Sequence, residues 1–258
     1  HHRLVGSEMC IRDRSYRTSN PALNSNTFKN VVKKDSLHLD STMTIRGTVD
    51  KTALALCMLV ISGYYSYSQA NLTLMALGIF IGLFLFFTLI FKKSWAPFIV
   101  PLYSISQGFV VGGISYFYNS QYEGIVLQAV LLTILVLFSM LFAYRSKIIK
   151  PSENFKLAIF SSIMAIFLIY VIGFFMGLFG TGLSILDPRN SSLASIGFSV
   201  FVVAIGAFSL VIDFDFIEEG AEKGAPKYME WYGAFGLLVT LIWLYVEILR
   251  LIAKLRNR

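Results

Sequence analysis

The chain has 258 residues, of which 56% are hydrophobic and 14% are charged. A typical soluble domain carries about 25% charged residues, so this composition argues against a soluble enzyme and, equally, against a disordered chain. The net charge is +7, but the lysines and arginines lie mostly in short stretches between apolar segments. That distribution is typical of membrane topology and not of nucleic-acid binding.

The first 50 residues differ from the rest of the chain. Residues 1–14 contain the run SEMCIRDR, which is similar to translated adaptor sequence, and they lack the apolar core of a signal peptide. We expect residues 1–14 to be non-native. Residues 15–50 are rich in Ser, Thr, Asn and Lys and predict a polar cytoplasmic tail, whereas residues 51–258 predict a transmembrane domain.

Seven apolar segments follow the tail, each close to the roughly 20 residues that cross a bilayer as a helix. Helices are expected because backbone polar groups inside lipid must be satisfied within the segment itself. The predicted fold class is therefore an all-α integral membrane protein with seven transmembrane helices. The segments cover approximately residues 51–68, 71–91, 96–118, 123–143, 156–179, 195–216 and 231–252.

The distribution of positive charge predicts the orientation. Seventeen lysines and arginines fall in the tail and the connections on one side, against Arg189 alone in the opposite connections. The positive-inside rule then predicts a cytoplasmic N-terminus. Seven spans put the C-terminus outside, although it is positively charged, so the last helix either spans against the positive-inside rule or turns back to the cytoplasm. We favour the full span, because earlier segments usually set topology. The disagreeing residues are Arg250, Lys254, Arg256 and Arg258.

Three pairs of glycines have GxxxG spacing, Gly78–Gly82, Gly108–Gly112 and Gly173–Gly177. Small residues one turn apart let helix backbones approach closely in membranes. The motif is common in membrane helices, so we interpret it as packing and not as chemistry.

Ionisable residues inside a membrane are costly and therefore are functional candidates. Asp213 and Asp215 end the sixth segment, about 200° apart around a helix, so they cannot share one face. Asp215 begins an acidic stripe that is interpreted in two ways: a carboxylate site for a proton or Ca²⁺ near the cytoplasmic mouth of a pore, or a solvated helix end. The other members of the stripe are Glu218, Glu219 and Glu222.

Glu247 in the seventh segment has Arg250 three residues on. It is interpreted as an interfacial ion pair or, alternatively, as a functional carboxylate. Asp213 is expected near the inner face and Glu247 nearer the outer one, on the order of 20 Å apart. That separation argues against one dyad of the two acids.

The sequence contains no recognisable catalytic set. No histidine follows His38, and there is no GxSxG, HExxH or phosphate-loop motif, so general-base, zinc and nucleotide chemistry of those kinds are not indicated. We expect a protein that is not an enzyme and has no resident cofactor, with Ca²⁺ at most as a transported or sensed ion.

Several stretches resemble bacterial proteins of the Bax inhibitor family (transmembrane Bax inhibitor motif), in the YccA-like branch. The resemblance covers roughly residues 16–258 and is carried by these runs: IDFDFIEEGAEKGAPKYMEWYGAFGLLVTLIWLYVEILRLIAKL, APFIVPLYSISQGFVVGGISYFYNSQYEGIVLQAVLLT, YRSKIIKPSENFK and RTSNPALN. It implies a seven-helix protein of the bacterial inner membrane whose last helix is surrounded by the other six. It also implies a pH-sensitive Ca²⁺ leak and a role in stress or cell-death protection.

The resemblance also implies a gate, in which a carboxylate late in helix six pairs with one in helix seven. Asp213 and Asp215 match the first position as a pair. Thr240 stands near the second position, and Glu247 lies two turns further on. Gln107, in PLYSISQG, stands where the branch tends to carry a titratable Glu.

Two functions follow from these observations. The first is a proton-sensitive, Ca²⁺-permeable leak with Asp213 and Asp215 at its cytoplasmic gate. The alternative is a non-transporting regulator that binds a quality-control protease or another membrane partner through its polar tail and GxxxG faces. The expected surroundings are the lipid bilayer, without nucleic acid, and the sequence indicates no particular oligomeric state.

Overall fold

A computed structural model describes residues 42–70 and 72–258 of the chain. The predictions for residues 1–14 and for the tail up to residue 41 lie outside the described residues. Two short 3-10 turns, Lys93–Trp95 and Ser184–Leu186, precede α3 and α6. The α-helices of the described part are α1 Ile45–Gln69, α2 Leu72–Phe91, α3 Ala96–Gln121, α4 Ile125–Arg145, α5 Glu153–Leu178, α6 Leu193–Glu222 and α7 Met229–Arg256.

Six of these helices, α2 to α7, are long and apolar enough to cross a membrane. The all-helical architecture predicted from the sequence is thus present. Helix α1 has 25 residues, but it begins with Arg46, Asp50 and Lys51 and ends in a run of tyrosines and serines. These polar residues lower its mean hydropathy, although its length suffices for a span.

Several helices extend beyond the apolar segments that predicted them, because their polar caps lie outside those segments. Helix α1 begins at Ile45 and not at residue 51, since the Thr44 side chain accepts a hydrogen bond from the Gly47 amide at 3.0 Å. Ser152 and Ser192 cap α5 and α6 in the same way. Ser, Thr, Asn and Asp at this position satisfy helix N–H groups that otherwise lack partners.

Glycines mediate two of the helix crossings. The most extensive helix contact joins α1 to α3, where Gly108 and Gly112 lie against Gly63. Gly78 and Gly82 lie in the same manner where α2 meets α3. The packing interpretation is confirmed for these two GxxxG pairs, since backbones approach closely there.

The third pair, Gly173–Gly177, is not at a helix crossing, so the packing interpretation is wrong there. Gly173 lies against the Leu186 side chain in the turn before α6, and a Cβ at Gly177 would meet nothing within 4 Å. Spacing alone does not distinguish a crossing from an exposed helix face.

Helix α7 is the most buried of the six apolar helices. Its backbone packs against α1, α3, α4 and α6. Side chains extend its contacts to the two remaining helices: the Phe235 ring lies 5.7 Å from that of Phe86 in α2, and Glu247 accepts a hydrogen bond from Tyr170 in α5. Charged residues on α7 and on the facing part of α6 therefore lie between helices.

Candidate functional site

Asp213 lies in α6 at the contact with α7. Its side chain is 2% exposed, and Thr240 Oγ1 of α7 donates a 2.6 Å hydrogen bond to its Oδ2 atom. The sequence placed Thr240 near the position of a family carboxylate, and the structure brings it to the α6 acid. Because the partner is a hydroxyl, this pair holds one carboxyl group and not two.

Asp215 lies on another face of α6, because residues two positions apart are about 200° apart around a helix. Its Oδ2 atom lies 2.6 Å from Lys156 Nζ in α5, and this lysine is 2% exposed whereas Asp215 retains 25%. The salt bridge thus joins α6 to α5, while Asp213 joins α6 to α7. Sequence reasoning missed Lys156, although its place in the first turn of an apolar segment was a signal of a buried cation.

Two further residues of the acidic stripe, Glu218 and Glu219, have protein partners. Tyr144 of α4 donates to Glu218, and Lys223 pairs with Glu219 one turn away on the same helix. The last turns of α6 are therefore attached to α4 and α5 by polar contacts. Sequence reasoning had not identified Tyr144.

Glu247 lies in a second polar cluster, with Tyr170 and Arg250. Tyr170 of α5 donates to Glu247 Oε1 at 2.7 Å, and Arg250 Nη1 donates to both carboxylate oxygens at 3.0 and 3.1 Å. The Arg250 guanidinium also lies 5.2 Å from the centre of the Tyr170 ring. The expected ion pair is present, but Glu247 is only 2% exposed, so the pair is buried between helices.

The two clusters are closer together than expected. Thr240 and Glu247 are seven residues apart on α7, which is two turns and about 10 Å along the axis. This axial spacing is shorter than the roughly 20 Å expected between Asp213 and Glu247, since Asp213 lies opposite Thr240 and not at the end of α7. The carboxylates still have separate partners, Thr240 for one and Tyr170 with Arg250 for the other.

Gln107 lies at the crossing of α2 and α3. Its side-chain amide is half-buried and packs against Gly82. The structure thus assigns Gln107 a packing contact and brings it to neither carboxylate cluster through a described hydrogen bond.

The burial of Lys254 accounts for part of the positive charge at the end of α7 that disagreed with the predicted orientation. Its side chain is completely buried, and the ammonium donates to Ile185 O, Ser199 Oγ and Ser195 O. Arg250 is likewise engaged inside the bundle. Two of the four C-terminal charges are thus internal contacts and not solvated ends, which sequence counting does not reveal.

Glu230, in the first turn of α7, holds the beginning of α1. It accepts hydrogen bonds of 2.9 Å from both the amide and the hydroxyl of Thr44, and it pairs with Lys51. Next to it, the Met43 amide donates to Ala225 O at 2.6 Å. The part of the predicted tail at Met43 and Thr44 is therefore attached to the α6–α7 connection and to the first turn of α7.

Within residues 42–70 and 72–258, no group of three or more His, Cys, Asp and Glu side chains is arranged to hold a metal ion. Among the described residues, Asp213 accepts from Thr240, and Glu247 accepts from Tyr170 and Arg250.

Comparison with known proteins places the whole helical region in one family. The family model described as "Bax inhibitor 1 like" matches residues 19–257. A search of the curated proteins gave no match.

Proposed function

Because the chain belongs to the Bax inhibitor 1 like family and is a multi-pass membrane protein, we propose that it is a pH-sensitive, Ca²⁺-permeable leak gated by Asp213. The observation that carries this proposal is the buried Asp213 carboxylate at the α6–α7 contact, with Thr240 as its donor. We place the protein in the YccA-like branch and propose a role in stress protection without enzymatic activity.

The chemistry of this contact gives a direction to the gating. A hydrogen bond to an ionised carboxylate is roughly twice as strong as one between neutral groups. Ionised Asp213 therefore holds α7 against α6 through Thr240, and protonation weakens that contact. The proposed leak opens as the pH falls, because the protonated form binds the two helices less tightly.

Asp215 has a supporting role in this proposal. Its salt bridge with Lys156 holds α5 against α6, and protonation of Asp215 removes the partner of a buried lysine. Loss of this bridge frees α6 on its α5 side while loss of the Thr240 bond frees it on its α7 side. Both changes favour the same opening as the pH falls.

We further propose seven spans, with α1 included, α7 central and the N-terminus in the cytoplasm of a bacterium whose inner membrane holds the protein. The charge difference between the two sets of connections supports this orientation, as do the contacts of α7 with its neighbours. Lys51, Glu230 and Asp215 then lie toward the cytoplasmic side, and Lys254 toward the outer side.

The test is Ca²⁺ flux in proteoliposomes at pH 6 and pH 8. Wild-type protein is expected to conduct more at pH 6, whereas Asp213→Asn, which mimics the protonated acid, is expected to lose most of this difference. Asp215→Asn is expected to reduce the pH ratio in part. Asp50→Asn serves as the matched control, since Asp50 is exposed on α1. Unchanged pH dependence in both single variants and in the double variant would refute the proposed gate.

A second function is supported by the Glu230 cluster. Because Thr44 and Lys51 bind Glu230 at the start of α7, a partner that binds the preceding tail acts directly on α7. The alternative is therefore a non-transporting regulator of a quality-control protease or another membrane protein. It predicts that the purified protein moves no ion at either pH and that deletion of residues 15–41 abolishes capture of the partner.

A further inference from the structure

Lys254 is buried, although a lysine at this position near the helix end could extend its side chain to water. It lies in the last turn of α7, two residues before Arg256, which makes contacts in an exposed region. A long basic side chain near a helix end can extend to the interface and keep its charge in water. Lys254 turns inward and is 0% exposed, so its ammonium occupies a specific internal site.

That site is a cage of three uncharged oxygens. The Lys254 ammonium lies 2.7 Å from Ile185 O, 2.9 Å from Ser199 Oγ and 3.2 Å from Ser195 O. Ser195 Oγ also donates to Ile185 O at 3.1 Å, which fixes the loop oxygen in place. Two of the three oxygens are backbone carbonyls, the group that replaces the hydration shell of a monovalent cation in selective pores.

The electrostatics of the cage are unusual for a buried lysine. Its hydrogen-bond acceptors are all neutral, and the negative groups Asp187 and Glu247 act on it only through space. Ser195 also lies in the first turn of α6, where the helix dipole disfavours a cation. The three oxygens therefore compensate the ammonium directly, which indicates a cage suited to a single positive charge.

The cage lies at one end of the contact between α6 and α7, and Asp213 lies near the other end. The α6 residues along this contact are buried and recur every three or four positions, which places them on one face. Asp213 and Ser199 are fourteen residues apart, about 21 Å along the helix. This face consists of Ser195, Ser199, Val202, Gly206, Ser209 and Asp213.

We propose that the cage of Ile185 O, Ser195 O and Ser199 Oγ is a monovalent-cation site, which Lys254 fills as a tethered cation and thereby restricts ion passage at the outer end of the α6–α7 contact. The blocking role rests on the proposed leak function, whereas the cation site stands on the cage itself. Because the cage has neutral oxygens and Ca²⁺ prefers several carboxylates, K⁺ fits it better than Ca²⁺.

The first test measures binding without transport. Lys254→Met removes the ammonium at nearly constant length, and its thermal unfolding in detergent is compared in KCl and in choline chloride of equal ionic strength. K⁺ that binds only the folded state raises the melting temperature, by about 2 °C or more. Wild type and Lys223→Met, which removes an exposed lysine that pairs with Glu219, are expected to show no such difference. No K⁺-specific rise in Lys254→Met overturns the cation site.

The second test measures transport. Lys254→Met is expected to raise K⁺ flux in proteoliposomes about tenfold over wild type, with a smaller change for Ca²⁺, and Lys223→Met leaves both unchanged. If Lys254→Met shows a K⁺-specific melting shift but no protein conducts, wild type included, the leak is refuted and the cation site stands. If wild type conducts and K⁺ flux is unchanged in Lys254→Met, the blocking role is overturned. If Lys254→Met does not fold, Lys254→Ala is measured instead, and failure of both to fold overturns the proposal by showing a purely structural lysine.

Discussion

Thr240 of α7 donates a 2.6 Å hydrogen bond to Asp213 of α6, and both side chains are less than 10% exposed. The bond joins two neighbouring helices through a group that changes charge with pH. A carboxylate inside a membrane segment is costly, which makes Asp213 the residue on which the proposed gate rests. In that proposal, protonation of Asp213 changes the strength of the Thr240 bond.

Removal of the Thr240 hydroxyl tests this relationship. Thr240→Val keeps the shape of the side chain but leaves Asp213 without that donor, so we expect a loss of about 1–3 kcal/mol in the free energy of unfolding. Ca²⁺ flux at pH 8 is expected to rise toward the wild-type level at pH 6. Thr240→Ser, which retains a hydroxyl, serves as the control and keeps most of the pH dependence. A full wild-type pH ratio in Thr240→Val contradicts the gating role of this bond.

The Lys156–Asp215 salt bridge predicts an asymmetric effect of its two single variants. Asp215→Asn removes the carboxylate charge that pairs with the nearly inaccessible Lys156 ammonium, which is expected to cost about 3–5 kcal/mol. Lys156→Met leaves the carboxylate of Asp215, which retains 25% exposure and is hydrated in part, so the cost is smaller. Denaturant unfolding of both variants and of the double variant measures the coupling. Equal destabilisation by the two single variants would show that the difference in burial has no energetic consequence.

The contacts of Glu230 with Thr44 and Lys51 predict that Glu230 protects the beginning of α1 from proteolysis. Glu230→Gln weakens the contacts with Thr44 and Lys51, so trypsin is expected to cleave after Arg46 or Lys51 several times faster than in wild type. Faster cleavage follows because proteolysis tracks the population of locally opened states. Glu222→Gln changes an exposed glutamate at the end of α6 and is the control. Equal cleavage rates in the two variants would argue against this attachment.

The glycine contacts predict opposite outcomes for the same substitution at two GxxxG motifs. Gly112→Ala places a methyl group against the Gly63 carbonyl oxygen of α1 and forces the helices apart, so we expect lower thermal stability. Gly177→Ala meets nothing within 4 Å and gains up to about 1 kcal/mol from helix propensity. The melting temperatures of the two variants are compared in one detergent. Equal destabilisation by Gly112→Ala and Gly177→Ala would contradict the conclusion that Gly112 lies at a helix crossing and Gly177 on an open helix face.

The sequence predicted the helices well because each apolar segment is long and continuous. The helix ends differed by up to six residues at Ile45 and at Glu222, because caps and interfacial turns are polar and hydropathy does not detect them. The angle between Asp213 and Asp215 followed from helix geometry alone. Their partners did not, since Thr240 and Lys156 lie 27 and 59 positions away in the chain.

The buried cations were the least predictable feature. Lys254 resembles an interfacial lysine by position, and only the fold shows that it turns toward Ser199. Tyr170 similarly gave no signal within its apolar segment, yet it donates to Glu247. Such contacts depend on which faces of distant helices meet, which local periodicity does not determine.

The most direct test of the proposed gate is the ratio of Ca²⁺ flux at pH 6 to that at pH 8, measured in proteoliposomes for wild type and Asp213→Asn. If Asp213 is the main gate, the ratio is well above one for wild type and much closer to one for the variant, whose flux at pH 8 approaches the wild-type flux at pH 6. A wild-type protein that does not conduct, or an Asp213→Asn variant with the full wild-type ratio, would contradict the proposed gate.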